Sequence, residues 1–433
     1  MLQVLHLALS DSGGAGNAAF LLHRALRGVG VDSRLLVENR KRDESEHVYV
    51  IPALNRWCYA LFSRIGDRLV KGASRGTEHA RYFYPDFNYP MLSPRAIEKM
   101  GLRADAIIAH SVSGYASSKL LAELSRAWRA PVFWYLMDMG LLTGGCHFSF
   151  GCEAYARQCG RCPALQSEKA NDWSYRFWKR RRIAALATTG VVVAPNQWLV
   201  RQAGLSGIFS GMPQSCIELS INLENTRPMG RPAARKALGL PENGKYIFFG
   251  AHYADERRKG VSYLIEALKR LVQRYKSAKN PLPTVITAGA ALAATSLDIP
   301  LPHHHLGYLD VDTRLPLAYQ AADVFVSPAI EDSGPMMVLE SLGCGTPVVA
   351  FDMGVARDVL VENETGYVAK LLDVEDLARG IESILLCDTL QAKSMSATCR
   401  TLAESRFSSV MQATAFRDLI LASLKRKERA SPV

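Results

Sequence analysis

At 433 residues, 48% of them apolar and 21% charged, the chain is too long for one hydrophobic core and too apolar for extended disorder. Two domains of about 200 residues each are expected. The net charge of +11 favours an anionic partner (nucleic acid, a bilayer surface or a phosphorylated ligand), and no run of about 18 apolar residues offers a membrane-crossing helix.

The first stretch, MLQVLHLALSDSGGAG, is apolar as far as Leu9, has no Lys or Arg before that run and lacks a small-residue cleavage pattern. It is expected to be a buried parallel strand and not a signal peptide. Gly13, Gly14 and Gly16 permit a tight turn into a helix, whose free N–H groups at Gly14 can receive a diphosphate. The triplet does not fit G-x-G-x-x-G, and no acidic residue is placed to hold a ribose, which sets aside a nicotinamide enzyme.

Cations interleave with aromatic and apolar residues in RWCYALFSRIGDRLVKGASRG (56–76), in WSYRFWKRRR (173–182) and in the tail LKRKERA (424–430). Such a mixture suits a membrane interface, against the plainer reading of solvated helix faces. Short apolar runs alternate with helix-length segments: LQVLHLAL, SRLLVE, ADAIIAHS, PVFWYLM and TGVVVAP, then KYIFFGA, PTVITAG, ADVFVSP and TPVVAF. Runs of this kind predict parallel sheets covered on both faces. The pattern occurs twice, around a Pro-, Gly- and Asn-rich linker that begins SINLENTRPMGRP. Domains are therefore expected over 1–220 and 221–405, with a closing helix and basic tail over 406–433 that returns to the first domain.

Cys146, Cys152, Cys159 and Cys162 crowd into CHFSFGCEAYARQCGRCP and can close a tetrahedral structural zinc site. Cys58, Cys216, Cys344, Cys387 and Cys399 stand apart and read as core or incidental residues. His110 and Asp138 follow two of the first-half strands, as polar groups placed for chemistry or for capping, and His147 lies beside the cysteines. In the second half, Arg257, Arg258 and Lys259 precede Gly260 and a helix, where cations oppose the helix dipole unless an anion is bound. AIEDSGPMMVLESLGCGTPVVA (329–350) then sets Asp332 in a loop and Glu340 about two turns into a helix. Carboxylates accept hydrogen bonds from hydroxyls, while helix amides and cations serve phosphates, and a sugar nucleotide presents both kinds of group. LDVDT, with Asp310 and Asp312, reads as a helix cap rather than a metal site, and the histidines 303–305 as a surface loop whose three side chains do not share one face.

FGA…RRKG, LGYL, AADVFVSPAIEDSGPMMVLESLGCGTPVVAFDMGVARDVLVENETGYVA and DVEDLARGI resemble the donor half of GT-B retaining glycosyltransferases of family 4, also called group 1. The resemblance spans roughly residues 245–385. YLMDMGLLTGGCHFSFGCEAYARQCGRCPAL is similar to a subgroup used in making bacterial surface polysaccharides. The resemblance implies α/β architecture: two Rossmann-like parallel-sheet domains facing a central cleft. It further implies transfer of a sugar from a nucleotide-diphosphate sugar, with retention, to a glycan or a polyprenyl-diphosphate-linked acceptor. No metal or other cofactor is then required for catalysis.

Placed on this chain, the family's two glutamates become Asp332 and Glu340, near the donor sugar and the ribose. Ser333, Gly334, Met336 and Met337 fall in the amide-bearing loop, and Lys259 on the diphosphate. The family arginine is replaced by Ala251, leaving Arg257 or Arg258 to stand in. The family's His-Asp reads Met137-Asp138, so His147 or His110 would have to supply the missing imidazole. A cytoplasmic protein, peripheral at an anionic inner membrane face and without nucleic-acid partners, is expected. The rival readings are a sugar-nucleotide epimerase of the same fold and a catalytically impaired zinc- or nucleic-acid-binding protein.

Overall fold

The computed structural model describes residues 1–433 apart from 43–45, 73–81, 89–91, 111, 113–114, 252–255, 290–297 and 431–433; the side chains of 53–59, 71 and 427–430 are also outside the description. Parts of the basic stretch 56–76, with Cys58, and of the tail therefore lie outside the described residues. The chain divides into one unit of Met1–Ser220 with Ser409–Val433 and another of Ile221–Ser408.

The first unit holds seven strands: β1 (Gln3–Ser10), β2 (Asp32–Asn39), β3 (Val48–Val50), β4 (Ala106–Ala109), β5 (Val132–Tyr135), β6 (Gly190–Ala194) and β7 (Gln214–Cys216). They pair in parallel in the order β3-β2-β1-β4-β5-β6-β7. Ile107, Ile108, Phe133, Trp134 and Val193 are no more than 1% exposed, because helices cover both faces of the sheet. Each such side chain contributes about 1.5–3 kcal/mol relative to exposure. Three of the helices matter below: α1 (Gly13–Gly28), α2 (Ala53–Lys71) and Trp173–Leu186. Gly16 lies so near the strand that a Cβ there would stand 2.6 Å from the Ser10 carbonyl oxygen, whereas Gly14 faces open space.

The closing helix Ser409–Ala430 packs in this first unit. Ala413, Phe416 and Ile420 are fully buried, and the Phe416 ring meets Tyr135 edge-on at 4.8 Å. Gln412 Nε2 donates to the Tyr135 hydroxyl at 3.0 Å, which itself donates to the Ile217 carbonyl, while Ser220 Oγ donates to Gln412 Oε1.

The second unit holds β8 (Tyr246–Gly250), β9 (Thr284–Ala288), β10 (His303–His305), β11 (Val324–Ser327), β12 (Val348–Phe351) and β13 (Gly366–Ala369), parallel in the order β10-β9-β8-β11-β12-β13. The three histidines are thus a strand and not a loop. As an edge strand paired only with β9, β10 tolerates polar residues, and strand alternation turns His303 and His305 to the same Thr287 hydroxyl at 2.6 and 3.0 Å.

In an open parallel sheet, ligands lie beyond the carboxyl ends of the strands where the strand order reverses. In the second unit that point is between β8 and β11. The loop after β8 ends in a 3-10 turn, Arg257–Lys259, and Gly260, before the long helix Val261–Ala278. Gly260 has φ +69°, and a Cβ there would collide with the Pro328 carbonyl oxygen of the loop after β11. The two loops can approach only because this residue has no side chain. We expect Gly260→Ala to lower stability by about 2–4 kcal/mol, combining positive-φ strain with a backbone collision. Urea unfolding of the variant against wild type measures it, and a change under about 0.5 kcal/mol would contradict the loop geometry.

Candidate functional site

At the switch point of the second unit, a buried carboxylate joins the two loops. Asp332 follows β11 and is 6% exposed. Its Oδ2 accepts from Lys259 Nζ at 2.7 Å and Arg258 Nη1 at 3.0 Å, and its Oδ1 from the Gly334 amide at 3.3 Å. Arg258 is also ion-paired with Glu256 at 2.6 Å. Burial pushes the Asp332 carboxyl upward, but Lys259 and Arg258 outweigh it and hold it below the usual carboxylate range. The backbone closes the same junction, since the Ile330 amide donates to the Arg258 carbonyl at 2.8 Å.

The helix after this loop runs Met336–Gly343, with Pro335 at its N-cap and no acidic residue in its first turn. The amides of Met336 and Met337 belong to the first turn, where helix N–H groups lack intrahelical acceptors and the dipole favours an anion. A Cβ at Gly250, at the end of β8, would stand 2.5 Å from Met337 Cε, so Met337 packs over that strand end. Ser333 is buried and Gly334, at φ +123°, shapes the turn before the helix.

Glu340 sits in the second turn and accepts from the Tyr319 hydroxyl at 3.1 Å. Burial pushes its carboxyl up to about 7. Tyr319, fully buried on the helix Leu315–Ala321, was not singled out from the sequence; the available signal was a tyrosine on the buried face of the helix preceding β11. Asp310 takes a capping part, accepting from the Asp312 and Thr313 amides at 3.0 Å, and Asp312 accepts from Asn225 at 2.9 Å.

In the first unit, Asp138 lies just past β5, buried, with Oδ1 accepting from the Gly140 amide at 2.5 Å and Oδ2 3.1 Å from His147 Nδ1. The His147 backbone is fixed by Tyr82 and Met139, and its ring packs on Tyr84 and Phe148, while its side chain keeps 27% exposure. A carboxylate that orients one ring nitrogen and leaves an accessible imidazole is the arrangement of a proton acceptor or hydrogen-bond partner. His110 goes elsewhere: it is fully buried, its Nε2 2.9 Å from His6 Nδ1, and burial pulls its pKa down to about 3. His110 is thus enclosed against His6 and, unlike His147, presents no solvent-accessible ring.

One surface reading also changes. In the helix Trp173–Leu186, Phe177, Trp178 and Arg181 are buried, so much of the basic aromatic cluster 173–182 turns inward. Cys216 is exposed and not a core residue, while Cys344 and Cys399 are buried. Cys146, Cys152, Cys159 and Cys162 all line one small cavity of the first unit. Among the described residues no three His, Cys, Asp or Glu side chains already stand in a metal-binding arrangement.

Residues 230–400 match the family described as Glycosyl transferases group 1. That stretch contains the whole Asp332–Lys259–Glu340 constellation. Among similar curated proteins, a D-inositol 3-phosphate glycosyltransferase of Saccharomonospora viridis is 30% identical over 186 residues, 40% of this chain and 42% of the relative. A phosphatidyl-myo-inositol mannosyltransferase of Mycobacterium tuberculosis is 30% identical over 172 residues, 38% of this chain and 44% of the relative. The chain therefore matches less than half the length of these relatives.

Solved structures align over nearly the whole chain. Sucrose-phosphate synthase from Thermosynechococcus elongatus covers 100% of both chains with a TM-score of 0.67 at 15% identity. The Anabaena HepE protein in complex with UDP-glucose covers 98% of this chain and 100% of its own, with a TM-score of 0.61 at 16% identity. The fold is GT-B, with two Rossmann-like units of seven and six parallel strands.

The Glu340 environment gives a pH test. The unfolded carboxyl loses its proton near 4.5 and the folded one near 7, so the folded state binds the proton more tightly and loses stability as pH rises from about 4.5 through 7. Glu340→Gln is expected to remove that loss: its melting temperature relative to wild type rises between pH 5 and pH 8. Parallel melting curves for the two proteins across that range would contradict the raised carboxyl.

Proposed function

We propose that this protein is a retaining GT-B glycosyltransferase that moves a sugar from a nucleotide-diphosphate sugar to a glycan or lipid-linked acceptor, in polysaccharide biosynthesis. The observation that carries the reading is the pairing, at one strand-order reversal, of two cations on a buried carboxylate with a second carboxylate in the helix that follows. The group 1 match over the same residues and the UDP-glucose complex of HepE support it.

Glu340 takes the ribose hydroxyls as a carboxylate, with Tyr319 fixing its rotamer. The diphosphate draws Lys259 and Arg258 and meets the first-turn amides. Asp332, relieved of part of its pairing, is then able to accept from a donor-sugar hydroxyl. As the sugar–phosphate bond breaks through an oxocarbenium-like transition state, these fixed cations and amides stabilise the departing diphosphate without a metal. The acceptor hydroxyl attacks from the face the diphosphate leaves and gives its proton to the departing phosphate oxygen, which balances the step and retains configuration. Asp138 and His147 serve the transferring sugar or the acceptor, where the family has a histidine and this chain has Met137. In the first unit, Gly14 at the open start of α1 is the candidate for a phosphate-facing amide.

The test is a thermal-shift series with UDP-, GDP- and ADP-sugars and no added metal. One nucleotide series is expected to stabilise wild type, by about 2.7 kcal/mol at a hundredfold excess over Kd, with the shift lost in Glu340→Ala. Lys259→Ala should weaken the same ligand at least about tenfold, as loss of a charge-assisted bond would. Donor turnover without acceptor would favour epimerisation, and no shift with any nucleotide would remove the transferase reading.

The lipid-side acceptor and an anionic inner-membrane face belong to the same proposal. Helix α2 exposes Leu61, Phe62, Ile65 and Leu69, each 45–63% accessible, beside exposed Arg64 and Arg68. Apolar anchors flanked by cations suit the headgroup boundary of an anionic bilayer. No helix among the described residues is long and apolar enough to cross one. Wild type is expected to float with anionic liposomes at moderate salt, and a Leu61→Gln/Phe62→Gln/Ile65→Gln variant to stay at the bottom. Equal flotation of the two would assign the binding to another surface.

A further inference from the structure

We propose that Cys146, Cys152, Cys159 and Cys162 bind one Zn²⁺ that staples the segment between β5 and the helix Trp173–Leu186. The inference is independent of the transferase reading. Four cysteines within 17 residues of sequence all border a single cavity of about 30 Å³, together with Thr143, Gly144 and Ser174. That volume exceeds the roughly 10–15 Å³ a single water needs and falls far short of an organic ligand, so it admits one ion. The lining includes four cysteines and no Asp, Glu or His, a set that selects a soft or borderline cation over magnesium or calcium.

The segment supplies a reason for a staple. From Asp138 to Asp172 the chain contains only two three-residue 3-10 turns, Ala154–Ala156 and Pro163–Leu165, yet Leu141, Leu142, Phe148, Tyr155 and Leu165 are buried. Irregular segments of this length inside a compact unit are uncommon without a functional or structural tie. The chain is threaded tightly around the sulfurs: a Cβ at Gly144 would stand 3.0 Å from Cys159 Cβ and collide with the Ser174 carbonyl, and one at Gly160 would collide with the Ala170 carbonyl.

Two features would suit a metal-bound set of thiolates. The Gly144 amide donates to Cys159 Sγ at 3.3 Å, and Asp172 holds the Cys162 amide at 2.9 Å, the kind of outer contact that fixes ligating sulfurs. Arg181 is buried at 2% exposure, and its guanidinium donates to the Thr143 and Tyr84 carbonyls at 2.6 and 3.3 Å. Its charge is within electrostatic reach of Cys159 and Cys146, as well as Asp86. Binding replaces four S–H bonds with four S–Zn bonds and releases four protons, leaving a set of charge −2 beside that buried cation. The sulfurs then draw in from the cavity wall to about 2.3 Å from the metal.

The experiment is metal analysis of full-length protein purified under reducing conditions without a metal-affinity step. About one zinc per chain is expected, and a Cys159→Ser/Cys162→Ser variant should lose it, while Cys216→Ser/Cys387→Ser should keep it. Where the double variant does not fold, wild type decides: Co²⁺ reconstitution should give the visible bands of tetrahedral thiolate cobalt, and zinc removal should lower the melting temperature. Wild type that holds no zinc after reconstitution, or whose four cysteines are recovered as disulfides, overturns the proposal.

Discussion

A carboxylate taken out of water must be matched by positive charge, and in the second unit that requirement ties two loops together. Asp332 is buried with both Lys259 and Arg258 on the same oxygen. Removing either partner from such a group costs more than an exposed ion pair contributes, because the remaining charge stays desolvated. The junction therefore fixes the loop after β8 against the loop after β11, and with it the start of the helix that carries Glu340. Any anion bound there would meet cations that are already placed, so little side-chain ordering would remain to be done.

The two acidic groups of this site differ in charge state for a physical reason. Asp332 has cations within 3.0 Å and is ionised; Glu340 has a tyrosine hydroxyl and burial, and its carboxyl rises to about 7. One carboxylate is thus a permanent counter-ion and the other titrates near neutrality. Hydroxyl ligands that need an acceptor favour the ionised form of Glu340, which couples their binding to proton release.

Much of this was legible in the sequence. Parallel sheets followed from near-continuous apolar runs such as ADVFVSPA, and the helix of Glu340 from the turn at Ser333–Pro335 and the glycines that close it. The partnership of Asp332 with Lys259 was not, because their 73-residue separation carries no local pattern and the cations read as phosphate ligands alone. His303–His305 was misread because an edge strand needs no apolar alternation. Asp138 and His147 were each visible as chemistry-bearing residues, but their contact arises in an irregular segment where periodicity predicts nothing, and His110 stood at a strand end without any sign that it would be sealed against His6.

The closing helix carries a consequence for biosynthesis. Phe416, Ala413 and Ile420 fill the interior of the first unit, and Gln412 completes the hydrogen bonds of Tyr135 on β5 and of Ser220. On the ribosome these residues emerge after the whole of Ile221–Ser408. The unit encoded first is therefore finished last, and its exposed sheet face waits while the later unit, whose residues are contiguous, can already collapse. During that interval the nascent chain presents β5 and its apolar neighbours to chaperones and to other nascent chains, a window that a prematurely terminated polypeptide never closes.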